Sequence, residues 1–457
     1  MSENPAVHLT PSLADDAQAL LFLASRPAFL SSDDAAACLH GLLKARRNIE
    51  FNGFILKNRE GRFVCAQQIE ALAASAEGSH SDTANDESGM PVVTITVMGA
   101  LIVQSGFSLE ASFHTRPTKA QGADESTTEW VQRNRFFSIA DLSAVMSSHR
   151  KYSKCYLSAC NGGLLLYASS QLPFEQELAP RLTRQNNGQL RRFEALYEDG
   201  SIPSSLWILL TLAAGAVKVV VAGDLWRRRG KLNVSWRTDI LQMQPAIESM
   251  PIFGPILANT RAVSVYLRSQ LAASVSTQSS AGFILKHHTG GFFIVTEPVS
   301  GHYASFGRAA LFPKDQHGNP LIPREFRVYG IYYAIAPLPA ARKAPSEADL
   351  QQNFFSVADL KLSLEHVSVA PHQRLFALTP DGAVLRFSKP IMSKVRVLIS
   401  ELTQGLEQKI IAGDMTLRTL VDKVADAGIF GVMLPSKTWP DAGRITISST
   451  AIEQVAQ

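Results

Sequence analysis

An internal repeat constrains this chain more than any other feature. Phe136-Phe137-Ser138-Ile139-Ala140-Asp141-Leu142 returns as Phe354-Phe355-Ser356-Val357-Ala358-Asp359-Leu360, with six of the seven positions identical. Gly53-Phe54-Ile55-Leu56-Lys57 returns unchanged as Gly282-Phe283-Ile284-Leu285-Lys286. The run from Tyr156 to Gly163 is echoed from Phe376 to Ala383, and the run from Ala213 to Val220 from Ala425 to Val432. Echoes that keep their order along a chain mark two copies of one folding unit. We place a lead segment at 1–25 and the copies at 26–240 and 250–457, with the boundary near Met250-Pro251.

Each copy reads as a helix, short strands and further helices. In the first, the pattern predicts a helix over 33–47, strands at 51–57 and 61–67, and one or two more strands ending near His114. A helix from 138 and a hairpin over 154–168 follow. Apolar alternation in short meanders, mixed with amphipathic stretches, predicts an α/β (α+β) class with a mixed sheet flanked by helices. Residues 71–89, 118–133 and 338–348 are polar or rich in Ala, Ser and Pro, and read as mobile insertions.

Length and charge narrow the function. A chain of 457 residues exceeds one ordinary core, which agrees with two modules. With 44 basic and 40 acidic residues the net charge is only +4, so bulk charge supports neither nucleic-acid nor membrane binding. The first sixteen residues lack a basic region, and the apolar run at 19–24 is too short to span a bilayer; a Sec leader is not expected. Cys38, Cys65, Cys155 and Cys160 form no Cys-x-x-Cys pair and read as reduced thiols in a cytoplasm, the two later ones as small buried side chains. Export by a non-Sec route stays compatible with this.

One constellation in the first copy invites chemistry: Glu50-Phe51-Asn52-Gly53 on a strand, Phe113-His114-Thr115-Arg116-Pro117, and Ser138-x-x-Asp141 opening a helix. The pattern resembles the JAB/MPN (JAMM) metalloprotease-like superfamily, and in particular its bacterial branch associated with polymorphic toxins. The resemblance implies tandem modules of that fold, with Glu50 as general base, His114 and Asp141 as zinc ligands and Ser138 as the donor that steadies an oxyanion. Arg116 then stands where those relatives carry a second histidine. A guanidinium has no lone pair to give a metal, and a catalytic zinc needs three protein ligands plus an open position. Arg116 is expected instead to take the metal's place as a fixed positive charge, paired with Asp141 or Glu50.

Aligning Pro337 with Pro117 puts Ala334 and Ala336 at the His114 and Arg116 positions, and Ser279 at that of Glu50. The second copy then keeps only Ser356 and Asp359. Ser-x-x-Asp is also a helix-capping signature, and its presence in both copies makes a cap the first reading of these residues and a site the second.

Other candidates carry less. Trp226-Arg227-Arg228-Arg229-Gly230 joins two expected strands at 217–222 and 231–236 and has no basic counterpart around Trp439, which argues against an RNA or DNA contact. His40, His80, His149, His287, His288, His302, His317, His366 and His372 show no ligand spacing and read as surface or turn residues. No Gly-x-Ser-x-Gly, Walker or dinucleotide motif occurs. The resulting expectation is a pseudoenzyme, without cofactor, that binds another protein and is linked to a bacterial toxin or effector system. The alternative is a zinc metallopeptidase or isopeptidase using the first copy.

Overall fold

The structure is a computed structural model describing residues 26–43, 47–70, 92–95, 101–147, 152–182, 192–234, 249–272, 279–300, 311–337, 347–369 and 374–446. It divides into two compact units, Met1–Pro255 and Ile256–Gln457. The expected lead segment and the insertion at 71–89 lie outside the described residues, as do most of the insertion at 338–348 and His80, His149, His302 and His372. No helix among the described residues is long and apolar enough to cross a membrane.

The first unit runs α1 (Ser32–Leu43), β1 (Asn52–Asn58), β2 (Phe63–Glu70), β3 (Val92–Ile95), β4 (Leu101–Val103), β5 (Phe107–Thr115), α2 (Thr127–Asn134), α3 (Ile139–Met146), β6 (Lys154–Ser158), β7 (Leu164–Ser169), α4 (Pro173–Leu182), α5 (Arg192–Glu198), α6 (Ser204–Ala214), β8 (Gly215–Val221) and β9 (Gly230–Lys231). Its nine strands form one mixed sheet in the order β4-β3-β2-β1-β5-β6-β7-β8-β9. Side-chain alternation gives this sheet two apolar faces. Ile55, Phe113, Tyr156, Leu164 and Leu166 pack with Ala35, Ala36 and Leu39 of α1, whereas Cys155, Leu157, Leu165 and Tyr167 pack with Leu142 of α3, Leu178 of α4 and Trp207 of α6. Helices therefore cover both faces, as a parallel pair such as β5–β6 requires.

The second unit repeats this plan: α7 (Thr260–Ala272), β10 (Ser280–His287), β11 (Phe293–Val295), β12 (Val299–Ser300), β13 (Phe326–Ala334), α8 (Ala348–Gln352), α9 (Val357–Val369), β14 (Arg374–Leu378), β15 (Val384–Ser388), α10 (Met392–Thr403), α11 (Leu406–Ala412), α12 (Leu417–Ala427), β16 (Ile429–Leu434) and β17 (Gly443–Arg444). The sheet order β11-β10-β13-β14-β15-β16-β17 matches β2-β1-β5-β6-β7-β8-β9 strand for strand. Even irregularities coincide. Pairing shifts between Ile55 and Leu56 and between Ile284 and Leu285, and again between Leu164 and Leu165 and between Val384 and Leu385. Bulges are designed features of a strand pair, so their recurrence is a structural signature of the repeat. The repeated Gly-Phe-Ile-Leu-Lys keeps its glycine for close approach: a Cβ on Gly282 would lie 2.3 Å from the Tyr332 ring.

Two expectations are corrected here. The boundary falls after Pro255 rather than near Met250, and the Phe253 N–H donates to Asp34 Oδ1 of α1 at 2.7 Å, which ties this stretch to the first unit. The polar stretch 118–133 is not a mobile insertion but carries α2, capped by Ser126, with Gln132 buried and Trp130 Nε1 donating to the Lys119 carbonyl at 2.7 Å.

Candidate functional site

The constellation gathers where β5 ends beside its parallel neighbour β6 and the chain leaves the sheet for α2 and α3. Crevices beyond the carboxyl ends of adjacent parallel strands are common ligand positions in α/β sheets. Phe113 points into the α1 face, so His114 and Ser112 point to the α3 face.

Ser138 is the N-cap of α3. Its hydroxyl accepts from the Asp141 N–H at 3.1 Å, and Asp141 Oδ2 accepts from the Ser138 N–H at 2.7 Å, a reciprocal capping box. Asp141 Oδ2 also accepts from Arg116 Nη2 at 2.6 Å. Arg116 Nη1 donates to the Phe136 carbonyl at 3.1 Å and, more weakly, to that of Arg133 at 3.4 Å. Both side chains of the ion pair are only 16% exposed. The guanidinium thus threads between the end of β5 and the start of α3 and satisfies carbonyls as well as the carboxylate. This is the geometry of a fixed structural charge.

His114 is half-buried and its Nδ1 lies 2.7 Å from Asn52 Oδ1, its direct cross-strand neighbour. Desolvation holds its pKa below the ordinary histidine range; the Asp141 carboxylate opposes this, Arg116 adds to it, and Glu50 opposes it. Glu50 precedes β1 rather than lying on it, and is exposed without a hydrogen bond or ion pair among the described residues. The structure brings Arg116, Asp141 and Ser138 into one bonded set, with His114 outside it but within electrostatic reach of Asp141, Arg116 and the exposed Glu50.

Zinc does not fit these donors. Tetrahedral zinc takes imidazole nitrogens, thiolates or carboxylates, and a catalytic site needs three of them. Here the second histidine position donates hydrogen bonds, the only shared carboxylate oxygen carries two of them, and the His114 Nδ1 is engaged by Asn52. No group of three or more His, Cys, Asp or Glu side chains is arranged to hold a metal ion among the described residues.

Strand pairing corrects the expected equivalence in the second unit. Asn52 faces His114 and Phe113 faces Tyr156; the matching pairs are Ala281 with Tyr333 and Tyr332 with Phe376. Tyr333 and Ile335, not Ala334 and Ala336, are therefore the counterparts of His114 and Arg116. A one-residue slip moves a side chain to the other face of a sheet. Tyr333 is 1% exposed and stacks on Phe355, ring centroids 5.9 Å apart. Tyr333 and Ile335, both buried, thus stand where the first unit carries His114 and Arg116, while Phe355 is the counterpart of the equally buried Phe137. Ser356 and Asp359 keep a partial cap, with the Asp359 N–H donating to Ser356 Oγ at 3.0 Å and the Ser356 hydroxyl to Asp359 Oδ2 at 2.8 Å.

Sequence reasoning missed other groups. His40, expected at the surface, is 3% exposed in α1; its Nδ1 is 2.7 Å from Ser158 Oγ and its Nε2 2.9 Å from the Gly162 carbonyl, so it pins the β6–β7 turn to the helix. Desolvation pushes its pKa down to about 3, with the Arg47 charge assisting and the Gly162 carbonyl opposing. Asp34 is also enclosed, and burial pushes it up to about 6 against hydrogen bonds from Ser31 and Phe253, with Asp33 adding a small rise. Trp226, in the stretch that joins β8 to β9, is fully buried, its Nε1 donating to the Arg135 carbonyl at 2.8 Å. Cys155 is buried as expected, but Cys160 is half-exposed and accepts a hydrogen bond from the Thr118 hydroxyl, with Oγ1 3.0 Å from Sγ.

Comparisons of the chain with protein families, curated proteins and solved structures return no match.

Proposed function

We propose that this chain is a non-catalytic, tandem JAB/MPN-like protein that uses its two modules to bind another protein, in a bacterial toxin or effector setting and in the cytoplasm. The observation that carries the reading is the Arg116–Asp141 pair: a permanently protonated side chain, tied to the helix cap and two carbonyls, stands where metal chemistry would need an electron-pair donor. Tyr333 and Ile335 support the same reading for the second unit, since neither offers an imidazole nitrogen where the metallopeptidase pattern needs its two histidines.

Elemental analysis of the full chain, purified without chelators and without a metal-carrying tag, tests this. The expected result is substoichiometric zinc and an unfolding midpoint indifferent to chelator. One zinc per chain, lost in His114→Ala, would overturn the proposal in favour of a zinc metallopeptidase or isopeptidase.

A further inference from the structure

Residues 117–122 follow β5 without helix or turn, and all six are exposed. They bury no side chain, yet their main chain is held closely. Asn48 Oδ1 accepts the Thr118 N–H and Asn134 Oδ1 the Lys119 N–H, each at 2.7 Å. Trp130 Nε1 donates to the Lys119 carbonyl at 2.7 Å, and the Thr118 hydroxyl meets Cys160 Sγ at 3.0 Å. Among the described residues no backbone group of another element bonds 117–121; the partners are side chains from the stretch before β1, from α2 and from the β6–β7 turn. A cleft that recognises a peptide holds its main chain in the same manner.

Two properties make this strap exchangeable. Polar bonds at the surface, with no buried side chain behind them, mark a segment that opens locally without disturbing the rest. The groups that hold it keep their places in its absence: Asn134 Nδ2 donates to the Trp130 carbonyl at 2.9 Å, Ser126 caps α2, and Glu129 accepts the Ser204 N–H of α6. The β6–β7 turn closes on its own main chain, the Ala159 N–H donating to the Gly163 carbonyl at 2.9 Å. The strap also sits beyond the carboxyl ends of the parallel strands β5 and β6, a common ligand position.

The second copy carries different side chains at these positions. The Trp226 indole donates to the Arg135 carbonyl and the Trp439 indole to that of Asn353, at 2.8 and 2.9 Å, which aligns Trp130 with Ala348 and Asn134 with Gln352. Gly162 and Gly382 take the same left-handed conformation, φ 88° and 92°, which aligns Cys160 with Pro380. The indole donor and the thiol acceptor therefore belong to the first unit alone.

We propose that the strap is a self-ligand: Asn48, Trp130, Asn134 and Cys160 form a site that reads the main chain of a partner polypeptide, and residues 117–122 occupy it in cis until a partner segment displaces them. The bonds define that segment. It presents a serine or threonine to Cys160 and then a residue of any kind but proline, because the second N–H and carbonyl are read while the Lys119 side chain is exposed and unbonded among the described residues. The inference rests on the protein-binding reading above and gives the partner a local sequence.

The probe is a capped, fluorescein-labelled hexapeptide of the sequence from Arg116 to Gln121, titrated with the full chain and read by fluorescence polarisation. Thr118→Pro combined with Lys119→Pro strips the strap of both N–H donors and leaves the four reading side chains in place. This variant should bind the probe roughly tenfold more tightly than the parent, and adding Asn134→Ala should abolish the gain. A lock tests the same site in one protein. Thr118→Cys sets a second thiol beside Cys160, so diamide closes a disulfide over the site and a reductant reopens it. The reduced form should bind the probe and the oxidised form should not; this comparison decides where the proline variant fails to fold. Equal binding by the two redox forms, or a folded proline variant that binds no better than the parent, overturns the self-ligand while leaving the metal-free, protein-binding reading intact. Stoichiometric zinc would sink that reading whatever the peptide does.

Discussion

The same helix start solves two different problems in the two units. At Ser138 the cap carboxylate also neutralises a part-buried guanidinium, so one oxygen serves the helix and the ion pair together. At Ser356 the carboxylate serves only the cap, and the buried Tyr333 and Ile335 stand where the first unit carries His114 and Arg116. Equivalent backbones can thus be held by charge or by packing, and the sequence motif at the cap does not reveal which. Ser-x-x-Asp is kept where no other polar site residue remains, so its persistence reports on helix capping before chemistry.

The largest test of this contrast removes the shared carboxylate. Asp141→Ala leaves Arg116 part-buried without its counter-ion and strips the cap, and should cost about 3 kcal/mol in the transition of the first unit. Asp359→Ala loses a cap alone and should cost about 1 kcal/mol. Denaturant unfolding followed by tryptophan fluorescence resolves the two; equal losses would mean that the ion pair adds nothing beyond the cap.

Acidity should separate the units next. His40, lowered to about 3, contributes stability that is complete above about 6.5 and falls away toward acid, because the unfolded chain takes up a proton that the native state refuses. Asp34, raised to about 6, acts with the opposite sign: its contribution is present below about 3.8 and is lost as pH rises through 6. Between roughly pH 4 and 6 the two slopes oppose one another within α1. Relative to the parent, Asp34→Asn should therefore lose stability toward acid by up to about 1.4 kcal/mol per pH unit, and His40→Gln should gain it with the mirror slope. Parallel pH profiles for parent and variants would refute this.

The smallest expected effect sharpens the comparison of the two units. Asn134→Ala removes the acceptor for the Lys119 N–H and should destabilise the first unit by about 1 kcal/mol. It should also raise amide exchange at Thr118 and Lys119. Unchanged exchange would show that Asn134 does not hold the segment.

Much of the architecture was legible because the repeated elements are those with strict local requirements. A glycine pressed against a ring, a serine at a helix start and a turn glycine at positive φ each tolerate few replacements. The expected counterparts of His114 and Arg116 were off by one because Pro337 served as anchor. Proline marks where a strand ends but does not set its register, which the cross-strand pairs of Tyr332 and Tyr333 do. His40 was unreadable for another reason: its partners Ser158 and Gly162 lie more than a hundred residues away, and only the fold brings them to the helix. The stretch 118–133 misled through its polarity, since its order comes from a cap, an indole and an asparagine bonding the main chain rather than from apolar burial.

The bond between Asp34 and the Phe253 amide has a practical corollary for dissecting the protein. A fragment truncated after residue 250 strips the enclosed carboxyl on α1 of the main-chain donor that Phe253 supplies. The amino-terminal half, prepared by itself, needs its tail through Pro255 to keep that helix seated.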